Sequence, residues 1–276
     1  MPHSLIDPTS PASPRTRWLA LMAIAAAALL LWHGPVPQWE SYHHFADARA
    51  WLGIPNAANV LSNLPFAVIG AWGAWRLWRL RESLSERPGW RAWFVFACVL
   101  ACTAAGSALY HWAPGNTTLA FDRLPIAWAC ATLLCGFLAE RVDPRWGSWG
   151  ALLAAVGLST LSVAWWWLTE QQGAGDLRPY VFVQFLPMLI VPAALLMKLA
   201  PREASGVDER AWWSVLALYA AAKLMEVADH AVLEAMAVTS GHTLKHLLAA
   251  TAAACLLRDA CMPASHWIQQ ANPLNH

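Results

Sequence analysis

The chain has 276 residues, of which 58% are hydrophobic and only 13% charged, and its formal net charge is +1. This composition excludes an ordinary water-soluble domain, and the sequence has no basic patch interleaved with aromatic residues that would indicate a nucleic-acid partner. The 19 tryptophans are typical of a protein with two membrane–water interfaces, because the indole ring has an apolar body and a polar N–H.

The first part of the chain predicts a tail, one membrane helix and a polar connection. Residues 1–17 begin with many Pro, Ser and Thr and lack hydrophobic periodicity, so we expect a disordered tail. The apolar run 18–34 has no small-x-small cleavage site after it, and we interpret it as an uncleaved anchor helix rather than a signal peptide. Residues 35–58 are mixed in polarity and predict an extracytoplasmic connection with at most one short helix.

Seven further apolar segments follow, and each approaches the ~20 residues that a helix needs to cross ~30 Å of hydrocarbon. The segments are 59–78, 91–111, 122–140, 148–168, 179–199, 211–236 and 241–260. They predict an all-α integral membrane fold, in which a seven-transmembrane-helix bundle at 59–261 is preceded by one extra N-terminal helix, giving eight spans. Residues 262–276 are polar and predict a loose C-terminal tail.

Lysine and arginine are distributed unequally between the two sides of this predicted bundle. The poorer side has only Arg49 and Arg178 in its loops. The richer side has thirteen: Arg15, Arg17, Arg76, Arg79, Arg81, Arg87, Arg91, Arg141, Arg145, Lys198, Arg202, Arg210 and Arg258. Because cytoplasmic loops carry the excess of these residues, both termini are predicted to be cytoplasmic.

Three histidines are predicted to reach one layer near the non-cytoplasmic face. His242 and His246 are one helical turn apart and share a helix face, and His111 ends a segment on the same side of the bundle. Zinc accepts imidazole ligands, and three protein ligands leave a fourth position for water, whose pKa then falls to about 7. The pattern therefore predicts a hydrolytic metal site. The alternative is that His242 and His246 are polar residues satisfied near the interface.

Two more polar residues belong to the same layer. Asp122 opens the predicted segment after His111, and Ser107 lies one turn below His111 on the same helix. Asp122 is a candidate general base and acid, and Ser107 is a candidate hydrogen-bond donor to a developing oxyanion. Asp122 could instead cap the helix that it opens or pair with Arg123.

A second polar cluster lies in the 211–236 segment. Lys223 and Glu226 share one helix face, so Glu226 is either a carboxylate that orients a ligand histidine or part of an ion-pair stripe. A transporter that uses Glu226 and Asp229 as a proton relay is a further hypothesis. Asn63 also needs a partner within lipid, which favours a structural hydrogen bond in support of the site over direct chemistry.

Several motifs resemble those of the alkaline ceramidase family and of the wider superfamily of seven-helix metal-dependent membrane hydrolases, which includes the progestin and adipoQ receptors. They are Asn59–Asn63 (NVLSN), Gly106–His111 (GSALYH), Asp122–Ile126 (DRLPI) and Gly241–His246 (GHTLKH). The resemblance covers roughly residues 38–260. The short loops make the chain look more like the prokaryotic branch of the family.

The resemblance implies a function and a set of site residues. His111, His242 and His246 would be the zinc ligands, Ser107 would contact the oxyanion or substrate, and Asp122 would shuttle protons. The reaction implied is hydrolysis of the amide bond of a ceramide-like membrane lipid, releasing a fatty acid and a sphingoid-type amine, in a multi-pass protein of a bacterial inner membrane. The alternative is a receptor- or sensor-like member whose zinc is structural or weakly hydrolytic.

The chain departs from the family pattern at two places. Arg123 stands where the eukaryotic pattern has a second acid. Eukaryotic members also carry an acidic calcium site before the first core helix, and the corresponding region here offers Glu40, Asp47 and Asn56, a poorer set of acids. The resemblance therefore predicts zinc and leaves a calcium site open.

Overall fold

The computed structural model describes residues 14–201 and 206–262. Within these ranges the chain forms α-helices, short 3₁₀ turns and loops, and no β-strand, so the predicted all-α class is confirmed. The helices are α1 (Pro14–His33), α2 (Ala57–Leu61), α3 (Leu64–Arg79), α4 (Arg81–Leu84), α5 (Trp90–Trp112), α6 (Asn116–Arg141), α7 (Trp149–Gln171), α8 (Arg178–Leu196), α9 (Glu209–Val227), α10 (Asp229–Met236) and α11 (Gly241–Ala260). Most of the two predicted tails, at 1–13 and 263–276, lies outside the described residues.

Five helices are long and apolar enough to cross a membrane, namely α1, α5, α6, α7 and α8. Helix α3 is shorter, at 16 residues. Helices α9 and α11 carry charged side chains along their length, including Lys223, Glu226 and Lys245. The five apolar helices indicate a multi-pass membrane protein.

Proline accounts for two differences from the predicted boundaries. Helix α1 begins at Pro14, so residues 14–17 are helical rather than part of a tail. The predicted span 59–78 is interrupted at 62–63, and α3 starts with Pro65 in its first turn. Proline has no backbone N–H and disfavours helical conformation in the residue before it, so it starts a helix more readily than it continues one.

Helix α6 begins earlier than predicted, at Asn116 rather than at Asp122. The chain turns at Pro114 and Gly115, and the Leu119 amide already donates to the Gly115 carbonyl at 2.8 Å. Asp122 therefore lies inside the helix. It cannot be the helix cap, because a cap satisfies the free N–H groups of the first turn.

The predicted span 211–236 consists of two helices, α9 and α10, that meet at Ala228. Asp229 follows this break, and its carboxylate accepts hydrogen bonds from the backbone N–H groups of Ala46 at 3.0 Å and His242 at 2.7 Å. The break therefore turns a carboxylate toward backbone donors from two other parts of the chain. The hydrogen bond between Asp229 and His242 holds the start of α11 beside the end of α9.

The bundle is organised around α5, which packs against α3 on one side and α6 on the other. Helix α6 also contacts α7 and α8, and α11 lies against α9 and α3. Large buried side chains, including Trp93, Trp212 and Leu257, fill the end where α5 and α9 begin. The opposite end, where α5 finishes and α11 begins, contains the polar residues of the site.

Candidate metal centre

His111, His242 and His246 meet at the end of the bundle where α5 finishes and α11 begins. Their side chains are buried, with 1%, 5% and 4% exposure. One ring nitrogen from each lies within 4.8 Å of the other two. Among the residues that the structure describes, no other group of three His, Cys, Asp or Glu side chains comes together in this way. The structure thus brings together the histidines singled out in the sequence.

The separation of two of the ring nitrogens matches that of two ligands on a single metal ion. A tetrahedral ion with nitrogen ligands at ~2.0–2.1 Å separates them by about 3.3 Å, and the Nε2 atoms of His111 and His242 are 3.3 Å apart. The Nδ1 atom of His111 is buried and has no hydrogen-bond partner in the described part of the chain. A metal on Nε2 would not satisfy this second ring nitrogen, so the case for a metal depends on the short Nε2–Nε2 distance and the burial of the three rings. The three histidines could hold a metal ion.

Ser62 positions the ring of His246. Its hydroxyl donates to the Asn59 carbonyl oxygen at 3.0 Å and lies 2.7 Å from Nδ1 of His246. Since the hydroxyl proton is already used, the Ser62 oxygen accepts a hydrogen bond from Nδ1–H. The neutral ring then has its lone pair on Nε2, and that nitrogen is free to bind a metal.

We expect Ser62→Ala to weaken metal binding by about 10–100-fold, the usual effect of removing the hydrogen-bond partner of a ligand histidine. The measurement is the metal retained per chain during titration with a chelator. Ser159→Ala is the matched control, because Ser159 is also buried but its hydroxyl donates to the Val156 carbonyl of its own helix at 3.0 Å. Equal chelator sensitivity of Ser62→Ala and the unmodified protein would contradict this role.

Ser107 and Asp122 are both buried, and they line one cavity together with His246. The Ser107 hydroxyl lies near the Asp122 carboxyl group. Oδ1 of Asp122 and Nη1 of Arg123 are each buried without a hydrogen-bond partner among the described residues. The ion pair considered as an alternative role for these two neighbours is therefore absent there, and Asp122 keeps an oxygen available for a proton.

Gly106 allows α5 and α6 to approach closely at this level. A Cβ atom at Gly106 would overlap the Phe121 carbonyl oxygen and lie 3.0 Å from the carbonyl carbon. Because these are backbone atoms, a side-chain rotation cannot relieve the overlap. A larger residue at position 106 would push apart the two helices that carry Ser107 and Asp122.

Gly106→Ala should therefore destabilise the fold by about 1–3 kcal/mol, the usual range for overpacking, and lower the thermal unfolding temperature of the detergent-solubilised protein. Gly157→Ala in α7 is the control, since a Cβ atom there meets nothing within 4 Å. That change should be neutral or stabilise the helix by up to about 1 kcal/mol. Equal unfolding temperatures for the two variants would show that the close approach is unimportant.

Glu226 is the centre of an ionic group that lines one cavity with Asp122 and His246. It pairs with Lys223 and, at 2.9 Å, with Lys245, and it accepts a hydrogen bond from the Tyr42 hydroxyl at 3.2 Å. Burial and the negative charge of Glu226 raise the pKa of Tyr42, so this hydroxyl stays protonated. Glu226 therefore belongs to an ion-pair group, which is one of the two roles that the sequence indicates for it. Among the described residues, the hydrogen-bond partners of Glu226 are these three side chains and not a histidine.

Two side chains before α3 line the back of the centre. The ring of Phe45 lies 4.6 Å from that of His111 and 5.1 Å from that of His242, measured between centroids. Asn63 donates from its side-chain amide to the Asn59 carbonyl at 2.8 Å. Asn63 therefore supports the helix break beside Ser62, and Phe45 shields two of the histidine rings from water.

Two of the three residues considered for calcium are committed to protein partners. Both carboxylate oxygens of Asp47 accept hydrogen bonds of 2.7 Å from Arg49, which hold the pKa of Asp47 below its ordinary value. Asn56 donates from its side chain to the His111 carbonyl at 2.8 Å. Glu40 is exposed. The arginine beside Asp47 opposes the binding of a cation at this place.

A cavity of about 300 Å³ extends from the centre into the apolar interior. Its polar end includes Ser107, Asp122 and His246, and its other end includes Phe96 and Leu256. Between Phe96 and Ser107, α5 advances by about 16 Å. A cavity with one polar and one apolar end fits an amphiphile with a polar head and a long apolar chain.

Comparisons of the chain with models of known protein families, with curated proteins and with solved structures found no match. The function is therefore inferred from the site itself and from the motifs that supply its residues. The histidine cluster and the amphipathic cavity are the two features that any function must explain.

Proposed function

We propose that the chain is an integral membrane zinc hydrolase that cleaves the amide bond of a ceramide-like N-acyl lipid, releasing a fatty acid and a sphingoid-type amine. The observation that carries this proposal is the buried cluster of three histidines, one of which, His246, lines the polar end of an amphipathic cavity. The resemblance of the site motifs to the alkaline ceramidase family, prokaryotic branch, supports the choice of an amide substrate.

Each site residue has a role in this reaction. His111, His242 and His246 would hold zinc, which acts when bound as a Lewis acid and makes water nucleophilic near neutral pH. Asp122 accepts the proton of the attacking water and delivers it to the amine nitrogen as the C–N bond breaks. The Ser107 hydroxyl donates a hydrogen bond to the oxyanion that develops on the carbonyl oxygen.

The cavity orients the substrate for this chemistry. The acyl chain lies along the apolar side chains of α5 and α11, such as Phe96 and Leu256, where water is excluded. The amine portion lies at the other end, beside Tyr42, Glu226 and Lys245. This placement leaves the amide bond between the two ends, at the level of the histidines.

We further propose that the bundle crosses the membrane eight times. The five long apolar helices supply five spans, and α2–α3, α9 and α11 supply the other three. Helices α9 and α11 are less apolar because they carry polar residues of the site, which face the cavity rather than lipid. By the positive-inside rule both termini are cytoplasmic, and the site lies toward the non-cytoplasmic face of a bacterial inner membrane.

The test is metal analysis of the full-length protein in detergent, followed by incubation with a panel of N-acyl lipids. We expect zinc in the purified protein and release of a fatty acid, with activity lost on chelation and restored by added zinc. Bound zinc without release of any acyl chain would favour the receptor- or sensor-like alternative. Absence of bound metal after purification in zinc-supplemented buffer would overturn the proposed centre.

A further inference from the structure

Arg123 is a buried cation at the wall of the cavity. Its side chain is only 6% exposed. Nη2 donates to the side-chain oxygen of Gln38, whereas Nη1 has no hydrogen-bond partner among the residues that the structure describes. No carboxylate of the described chain forms an ion pair with it. A buried guanidinium in this state is unusual, because buried charges are normally paired.

Three aromatic rings surround the guanidinium group. Its central carbon lies 4.1 Å from the ring centroid of Trp166, 5.1 Å from that of Tyr180 and 5.7 Å from that of Tyr42. Aromatic faces attract a cation, but they do not replace the in-plane hydrogen bonds that guanidinium makes with a carboxylate or phosphate. The rings therefore hold the guanidinium in place but give Nη1 no hydrogen-bond acceptor.

The charges that line the cavity do not balance. Asp122 and Glu226 face three cations, Arg123, Lys223 and Lys245. Both lysines are paired with Glu226, so Arg123 is the cation of this lining that has no ion pair within the described chain. An anionic group on the ligand would supply the missing partner.

We propose that Arg123 binds an anionic group on the amine portion of the substrate. The preferred substrate is then an N-acylated amine that carries a carboxylate or phosphate, rather than a neutral ceramide. This inference rests on the proposed amide hydrolysis and names its substrate class. Arg123 directly follows Asp122, which protonates the leaving amine, and lies with Tyr42 at the polar end. It acts as a specificity-determining residue and does not contact the reacting atoms.

The experiment compares matched substrates on the full-length protein in detergent. N-palmitoylglycine and N-palmitoylethanolamine share an acyl chain and nearly the same headgroup size but differ in charge, and N-palmitoyl-O-phosphoethanolamine supplies a phosphate. We expect kcat/KM to be about 30-fold or more higher for the better of the two anionic substrates than for the neutral one, as for a desolvated charge pair. Comparison of the carboxylate and phosphate arms identifies the anion. Arg123→Gln should abolish the preference mainly through KM, and Arg123→Lys should retain part of it.

A binding measurement separates this inference from the amidase proposal. Radiolabelled N-palmitoylglycine and N-palmitoylethanolamine are bound to protein stripped of metal by a chelator, and the anionic lipid should bind more tightly in an Arg123-dependent manner. Anion-selective binding without hydrolysis by the metal-loaded protein would overturn amide hydrolysis but keep Arg123 as an anion contact. Hydrolysis with no preference for the anionic lipids would overturn the inference alone.

Lys223→Gln is the matched control for charge. It removes one positive charge from the same cavity lining, but from a side chain already paired with Glu226. We expect most of the preference to survive this change. An equal loss in Lys223→Gln and Arg123→Gln would mean that the overall potential of the cavity, and not Arg123, selects the anion.

Discussion

Replacing His111 by alanine should remove the bound metal and, with it, the hydrolysis of N-acyl lipids. The centre has three imidazoles, and loss of one leaves fewer ligands than catalytic zinc sites normally use. Turnover should fall by more than the factor of about 10²–10⁴ that a single acid–base residue contributes to the rate. His242→Ala and His246→Ala should behave in the same way. Metal content by elemental analysis and fatty-acid release measure the two effects independently.

His43→Ala is the control for this series. His43 lies near the centre in the connection before α2, but its ring nitrogens contact the Tyr110 hydroxyl at 3.0 Å and the Asn116 side chain at 2.9 Å. The variant should keep the full metal content. Normal zinc in a protein that lacks His111, His242 and His246 together would contradict the assignment of the centre.

The sequence could predict the features of the site that depend on a single helix. His242 and His246 share a face because of the helical period, and α11 has the predicted bounds 241–260. The level of His111 could also be predicted. Successive helices that cross a membrane alternate in direction, so the end of the segment that contains His111 and the start of α11 fall on the same side of the bundle. Depth within the bundle follows from the count of residues along each segment.

Features that depend on helix breaks could not be predicted in the same way. Ser62 reaches His246 only because the helix is interrupted at 62–63, and Asp229 reaches the start of α11 only because of the break at Ala228. The signal for the first break was Pro65. Hydrophobic periodicity continues through both breaks, so the pattern alone indicated two unbroken spans.

Glu226 illustrates a further limit of helical spacing. The pairing with Lys223 follows from a three-residue step along α9, but Lys245 comes from α11 and Tyr42 from the connection before α2. Spacing within one helix cannot show such partners. The choice between orienting a histidine and forming an ion-pair group therefore required the tertiary structure.

Asp122→Asn should separate the proton-transfer role from metal binding. The amide is nearly isosteric with the carboxylate, and Asp122 is not one of the three clustered ligands. We therefore expect normal metal content and an unchanged unfolding temperature. Turnover should fall by about 10²–10⁴-fold, because asparagine cannot accept the proton of the attacking water or return it to the leaving amine. Elemental analysis, thermal unfolding and fatty-acid release are measured on one preparation.

The control for Asp122→Asn is Asp259→Asn. Asp259 is another buried carboxylate, but it lies at the far end of α11, about 25 Å from His242 by helical rise, and it accepts hydrogen bonds from Arg258. Its replacement should leave turnover close to that of the unmodified protein. If Asp122→Asn instead lost the metal, Asp122 would belong to the ligand shell. If it kept both metal and full turnover, a group other than Asp122 would have to carry the proton. Among the described residues the other carboxylate of the cavity lining, Glu226, is ion-paired with two lysines, so this group would not be an unpaired carboxylate of the lining.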